Sequence, residues 1–203
     1  IFECGQCFRW TALNEEKTKY QGVVHGCVLE VHRQGEDVYL HGVTKALFQT
    51  YFLKYFDLDR NYRQVKEVLQ RDPLLKKSIA HGAGIRILQQ DPFETLITFI
   101  LSANNLIPKI KEGIKRISSA YGEKILFQGE IFHAFPTPEA LALATEEELR
   151  AMGLGYRAKY IAKTATLLSE ARRLTKEKEL RPLTQEEETL CAYDLVWIQE
   201  LEE

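Results

Sequence analysis

Ser102-Ala103-Asn104-Asn105 is an uncharged polar stretch at the end of an apolar run, and Lys109, Lys111, Lys115 and Arg116 follow it closely. A carboxamide offers both a donor and an acceptor, and cations beside it offer a surface to an anionic polymer. A second group lies further along, where Gly153-Leu154-Gly155 precedes Tyr156 and Arg157, with Lys159, Tyr160 and Lys163 after them. An aromatic ring and a guanidinium at a helix start can project together, the ring as a wedge against base steps and the guanidinium as a donor to a base edge. Residue types alone keep plainer readings open. Asn104 and Asn105 would cap a buried helix, Tyr156 would be a core aromatic and Arg157 a solvated charge.

The elements that must carry these residues are well marked. Asp91-Pro92 starts a helix, since Asp accepts from free first-turn N–H groups and Pro at the first position loses no hydrogen bond. Phe93, Leu96, Ile97, Ile100 and Leu101 recur at helical spacing and Phe99 widens the stripe, which predicts a helix buried almost all round. The Asn pair ends it, and Pro108 restarts a helix running to Tyr121, stopped by Gly122 and followed by a short connection. Helices are expected from Thr137-Pro138-Glu139 to Ala144 and from Thr145-Glu146-Glu147-Glu148 to the Gly153 C-cap, and Tyr156-Arg157 opens the next. Upstream, Gln6–Thr11 and the alternating run Tyr20–Val43, broken at Gly26 and at Gln34–Asp37, predict an antiparallel meander. Leu47, Tyr51, Tyr55 and Phe56 supply a helical stripe to cover it, and Asn61–Gln70 and Asp72–His81 read as two more helices. The fold class is therefore α+β, with an N-terminal antiparallel sheet domain packed with helices over residues 1–80 and an all-helical domain over 81–203.

Composition narrows the partners. With 45% hydrophobic residues the 203-residue chain can build a real core. No apolar run approaches the roughly 20 residues of a membrane span and no signal segment opens the chain, so no membrane partner is expected and the cytoplasm is the default. A net charge of −2 gives no global pull toward nucleic acid, so DNA binding must come from a local patch. Cys4, Cys7, Cys27 and Cys191 are read as reduced thiols, because the lone Cys4-x-x-Cys7 lacks the second pair of a zinc site. His25, His32 and His41 alternate along the strands, and a metal site would need them to converge with a carboxylate or thiolate; solvent-facing strand histidines are the plainer reading. No metal and no cofactor is expected.

Three stretches carry a resemblance. Leu88–Ile110, LQQDPFETLITFILSANNLIPKI, resembles the segment of 8-oxoguanine DNA glycosylases in which a buried helix ends in Ser-x-Asn-Asn. Gly5-Gln6-Cys7-Phe8-Arg9-Trp10 resembles that family's Gly-Gln-[Ser/Cys]-Phe-Arg-Trp segment, and Gly153-Leu154-Gly155-Tyr156-Arg157-Ala158 its Gly-Leu-Gly-Tyr-Arg-Ala block. The likeness spans about residues 1–170, and three motifs in order are more specific than any one. It implies a monomer acting on double-stranded DNA that contains 8-oxoguanine, in the nucleoid of a bacterium or the nucleus of a eukaryote. It implies that Asn104 fills the gap left by the extruded base beside Asn105, that Lys109 reads the opposite base, and that Tyr156 wedges and Arg157 donates. Gly5 matches the glycine whose carbonyl senses the extra N–H of the lesion; its plainer reading is a glycine required by strand geometry. The implied function is removal of 8-oxoguanine by N-glycosidic cleavage with abasic-site lyase activity, in base-excision repair.

The sequence departs from the family after the Tyr-Arg block. The family continues with a helix-hairpin-helix, Leu-x-Gly-Val-Gly-x-Lys-Val-Ala, whose Lys is the nucleophile, and then a catalytic Asp after a Gly/Pro-rich turn; neither stretch is in this sequence, so no catalytic residue is assigned. The charge-dense stretch from Thr175 ends in Asp194–Glu203, whose allowed codons read two nucleotides later can spell Phe-Gly-Val-Asp-Pro-Arg-Val-Gly-Arg. A lost reading frame, or a genuine helix in which Leu195, Val196, Ile198 and Leu201 pack, both account for it. The sequence thus reads as a glycosylase truncated before its catalytic hairpin, with a catalytically inactive DNA-binding fragment as the alternative to an active enzyme. Borohydride trapping of the purified chain on 8-oxoguanine duplexes should stay at background, and a covalent protein–DNA adduct above background would overturn that expectation.

Overall fold

The alternating run builds a four-stranded antiparallel sheet with strands in sequence order: β1 (Trp10–Ala12), β2 (Lys19–Val24), β3 (Cys27–Gln34) and β4 (Asp37–His41). The computed structural model describes residues 1–178 and 181–191, and the chain divides into two compact units, Ile1–Gln90 and Asp91–Glu203. Trp10 pairs with Gly22 across β1 and β2. A Cβ on Gly22 would lie 2.4 Å from the indole Cδ2, so only glycine lets the ring lie flat on the sheet. The ring is 1% exposed, stacks on Phe2 at 4.0 Å, and donates from Nε1 to the Tyr55 hydroxyl at 2.9 Å.

The sheet is covered by a helical segment in three pieces, α1 (Lys45–Leu47), a π-helical turn (Phe48–Phe52) and α2 (Leu53–Tyr55). The wider turn shifts the helical phase, so Phe52 joins Tyr55 and Phe56 in the core while Tyr51, expected there, stands 48% exposed. Asn61 and Asp72 cap α3 (Tyr62–Leu69) and α4 (Pro73–His81), the two helices their positions predicted. The strand expected over Gln6–Thr11 is reduced to β1. Gln6 is drawn elsewhere: its side chain donates to Arg86 O at 2.8 Å and accepts from Leu88 N at 2.9 Å, and its own carbonyl accepts from Gln90 Nε2. His25 is not on a strand face either, because it shares the β2–β3 turn with Gly26, both at positive φ. Among the described residues no group of three or more His, Cys, Asp or Glu gathers as a metal site would. Cys4, Cys7 and Cys27 are not in disulfides.

The second unit comprises α5 (Pro92–Ser102), α6 (Ile107–Tyr121), the hairpin β5 (Lys124–Phe127) and β6 (Glu130–His133), then α7 (Pro138–Leu141), α8 (Glu146–Leu149), a π-helical turn (Arg150–Leu154), α9 (Arg157–Lys178) and α10 (Gln185–Cys191). Its core joins Phe93, Ile97 and Leu101 of α5 and Ile110, Ile114 and Ile117 of α6 to Ala158, Ile161, Ala165 and Leu168 of α9. Small alanines let the helices approach closely. Only one face of α5 is needed for this, so the expectation of an all-round buried helix fails and Phe99 is 73% exposed. The connection after Gly122 holds a hairpin that was not expected, turning at Gln128 and Gly129, both at positive φ as a tight primed turn requires. The proposed packing of Asp194–Glu203 lies outside the described residues. No helix among those described is long and apolar enough to cross a membrane.

Replacing Gly22 by Val should lower the stability of the N-terminal unit by about 1–3 kcal/mol in urea unfolding, because the indole must be displaced. Gly84→Ala, where a Cβ meets nothing within 4 Å, should be near neutral. Equal effects at the two sites would refute this account.

Candidate nucleic-acid interface

The second unit brings the two sequence groups to one place. Asp91 starts α5 as anticipated, its Oδ1 accepting from Glu94 N at 2.8 Å. The chain leaves the helix at Ala103, with ψ 114°, and Asn104 takes the left-handed conformation, φ 48°. Asn tolerates this better than most residues. Asn105 spends its carboxamide on the corner, where Nδ2 donates to Leu101 O at 2.9 Å and Oδ1 accepts from Leu106 N at 2.9 Å. The capping reading therefore describes Asn105. The Asn104 side chain is exposed.

Lys109 is exposed in the first turn of α6, a helix whose N-cap, Leu106, supplies no side-chain bond. A cation at the positive end of a helix dipole costs local stability.

The opposing element is set by Glu148 and two glycines. Thr145 and Glu148 form a reciprocal capping box at the start of α8. The Glu148 carboxyl is held below its usual range, chiefly by the Thr145 N–H. The Tyr121 hydroxyl of α6, pushed up first by burial and then by Glu148, donates to the same carboxylate at 3.3 Å. This pins α8 to α6. The chain then passes through Gly153, φ 79°, and Gly155, φ 61° and ψ −139°, the second a conformation essentially restricted to glycine. Tyr156, half exposed, and Arg157 emerge from that bend.

Arg157 reaches the Asn corner. Its Nε donates to Ala103 O at 2.9 Å and its Nη2 to Asn104 O at 2.7 Å, while Tyr156 OH donates to Ala103 O at 3.3 Å. The guanidinium carbon lies 4.6 Å over the Tyr156 ring, and Tyr160 meets that ring edge-on at 6.5 Å. Lys159 and Lys163 lie exposed along the same helix. Asn104, Tyr156 and Arg157 are thus one assembly, with exposed amide, ring and cation edges, and Lys109 five residues beyond Asn104 in sequence.

Gly5 belongs to the other unit. It is exposed and outside any strand. Its φ of 86° and the open space around a Cβ show that conformation, rather than strand geometry or crowding, calls for glycine. The contribution of Arg116, whose Nη1 donates to Met152 O at 2.7 Å, was not evident from the sequence. The sequence offered only its place among the cations after the Asn pair and an i,i+4 pairing with Glu112.

A family model described as HhH-GPD superfamily base excision DNA repair protein matches residues 97–198. The model for the N-terminal domain of 8-oxoguanine DNA glycosylase matches residues 1–96, and the chain belongs to the 8-oxoguanine DNA glycosylase family. The N-glycosylase/DNA lyase of Saccharomyces cerevisiae is 37% identical over 188 residues, which cover 83% of this chain and 48% of that protein. The 8-oxoguanine glycosylase/lyase of Clostridium acetobutylicum, solved with double-stranded DNA containing cytosine opposite 8-oxoG, is 45% identical with a TM-score of 0.80, over 85% of this chain and 59% of that one. Its apo form matches with the same identity and TM-score. The chain spans about half to three fifths of the length of these relatives.

Asn105→Ala should cost about 1–2 kcal/mol of unfolding free energy, since two helix-end groups lose their partner. Asn104→Gly should be near neutral and Asn104→Ala worse than Gly by about 1 kcal/mol, the left-handed penalty. Chemical denaturation of the three variants checks the order, and Asn105→Ala as stable as the parent would contradict the capping role.

Proposed function

We propose that this chain recognises 8-oxoguanine in double-stranded DNA for base-excision repair, its Asn104–Arg157 assembly engaging the site from which the damaged base is extruded. The observation that carries the proposal is that corner. A side chain with a donor and an acceptor stands exposed on a left-handed backbone, beside a guanidinium and a half-exposed tyrosine. Extruding a stacked base costs a few kcal/mol and leaves a gap and an unpaired partner. In this reading Asn104 enters the gap, Arg157 donates to the unpaired base, Tyr156 presses against the adjacent step, and Lys109 contributes a point charge toward the opposite base. Asn105 supports the corner from beneath. Gly5 presents its carbonyl to the N–H that 8-oxoguanine has at a ring nitrogen where guanine has none. The Clostridium relative, solved with double-stranded DNA containing cytosine opposite 8-oxoG, supports the choice of lesion DNA as the partner.

The whole-protein activity proposed is N-glycosidic cleavage with abasic-site lyase chemistry, in the compartment that holds DNA. In that chemistry an amine attacks the sugar's anomeric carbon. This sequence supplies the recognition surface and no lysine in the family's Gly-Val-Gly-x-Lys setting. Lesion-dependent binding is therefore the property to measure.

In a fluorescence-anisotropy titration, Arg157→Ala and Asn104→Gly should weaken binding to 8-oxoguanine or abasic duplexes about tenfold, and undamaged duplex much less. Lys111→Ala should weaken both duplexes about equally and reduce the salt slope by roughly one or less, as a phosphate contact does. Equal losses on both DNAs for all three variants would refute the roles.

A further inference from the structure

The bend that presents Tyr156 and Arg157 has a support of its own. Arg116, near the middle of α6, donates from Nη1 to the Met152 carbonyl at 2.7 Å. Its Nε is held by Glu112 Oε1 at 2.8 Å, one helical turn back. Met152 immediately precedes Gly153, and a Cβ on Gly153 would come within 3.0 Å of that same Nη1. Gly153 therefore meets two demands, a left-handed φ and room for the arginine. Beyond it, Gly155 O accepts from Ala158 N at 3.2 Å, which starts α9. Arg157 then clasps the carbonyls of Ala103 and Asn104. The chain of contacts runs from α6, through the bend, back to the corner from which α6 departs.

We infer that Arg116 is a positioning residue for the DNA-contacting assembly, holding the Met152–Gly155 bend so that Tyr156 and Arg157 meet the Asn104 corner. This deepens the proposed recognition role and rests on it only for the DNA readout. A π-helical turn that holds one glycine at positive φ, Gly153, and is followed by a second, Gly155, has little rigidity of its own, because glycine populates many backbone states. The carbonyl of Met152 lies in the last turn before the bend, where carbonyls run short of backbone donors, and a guanidinium oriented by a carboxylate bonds to it. Arg116 is about half exposed, so a direct phosphate contact is the competing account, and the two differ in salt dependence.

The test uses the full chain and the variants Arg116→Ala, Arg116→Lys, Glu112→Ala, Arg157→Ala and the Arg116→Ala/Arg157→Ala pair. Without DNA, hydrogen exchange at the Ala158 amide should be about tenfold faster in Arg116→Ala, with partial recovery in Arg116→Lys, which keeps one donor, and a smaller increase in Glu112→Ala, which only frees the guanidinium. On 8-oxoguanine duplex, Arg116→Ala should weaken binding about five- to tenfold with an unchanged salt slope, and the double variant should bind no more weakly than Arg157→Ala. Parent-like exchange at Ala158 in Arg116→Ala overturns the inference. So does a salt slope reduced by roughly one with full additivity, which would make Arg116 a phosphate contact. If Arg116→Ala does not fold, Glu112→Ala decides by the same exchange measurement. If no variant or parent shows lesion-dependent binding, the recognition reading fails while the exchange result still judges the positioning role.

Discussion

The bonds from Arg157 to the carbonyls of Ala103 and Asn104 are the constraint on which the rest of the helical unit's surface depends. A helix end leaves carbonyls without donors, and α5 ends two residues before the left-handed Asn104. Arg157 supplies donors in a fixed fork, so one side chain fixes two consecutive peptide planes and with them the direction in which Asn104 projects. The geometry holds only while α9 starts where it does, and that start follows from the glycine bend. Capping box, bend, guanidinium and corner form a closed circuit within one unit. Each part is local and cheap, and the circuit is what makes the exposed amide directional.

Electrostatics are arranged on the same local scale. The chain is slightly acidic overall, yet Lys109, Lys111, Lys115 and Arg116 stand on α6 against a single acid, Glu112, between Lys109 and Arg116. Lys109 sits at the helix end where a cation is least favoured and no side chain caps the N–H groups. That arrangement costs the free protein some local stability. In the proposed reading this is the surface that meets DNA, and its affinity would fall as salt rises.

Much of this was legible in the sequence because local chemistry decided it. Asp91, Asn61, Asp72, Thr137 and Thr145 cap the helices their positions promise, since a side-chain acceptor one residue before a helix acts through bonds within a few residues. The antiparallel meander followed from period-two alternation. What escaped depends on partners far along the chain. Gln6 left the strand for contacts more than 80 residues away, and no local pattern encodes such a choice. The π-helical turn at Phe48–Phe52 moved burial from Tyr51 to Phe52, a phase change that a 3.6-residue period cannot register. At the candidate site the resemblance pointed to Asn104, Tyr156 and Arg157, which the structure brings together, but the difference between the two asparagines needed the backbone. Only coordinates could separate Asn105, whose amide is spent on the corner, from Asn104, whose amide is offered outward.

The contacts of Gln6 also govern when the N-terminal unit can be completed during synthesis. Its side chain bonds to Arg86 and Leu88, and its carbonyl to Gln90, at separations of 80, 82 and 84 residues. The sheet's hairpins close over short loops and can form as each strand emerges, whereas these bonds close a loop of more than 80 residues and carry its larger entropic cost. Until Gln90 has cleared the ribosome Gln6 lacks these partners of its side chain and carbonyl, although Phe2 can already stack on Trp10 of the sheet. The residues that follow directly are Asp91 and Pro92, which begin α5. The segment that seals the first unit thus leads, without a spacer, into the nucleus of the second, so that completion of one unit coincides with the start of the next.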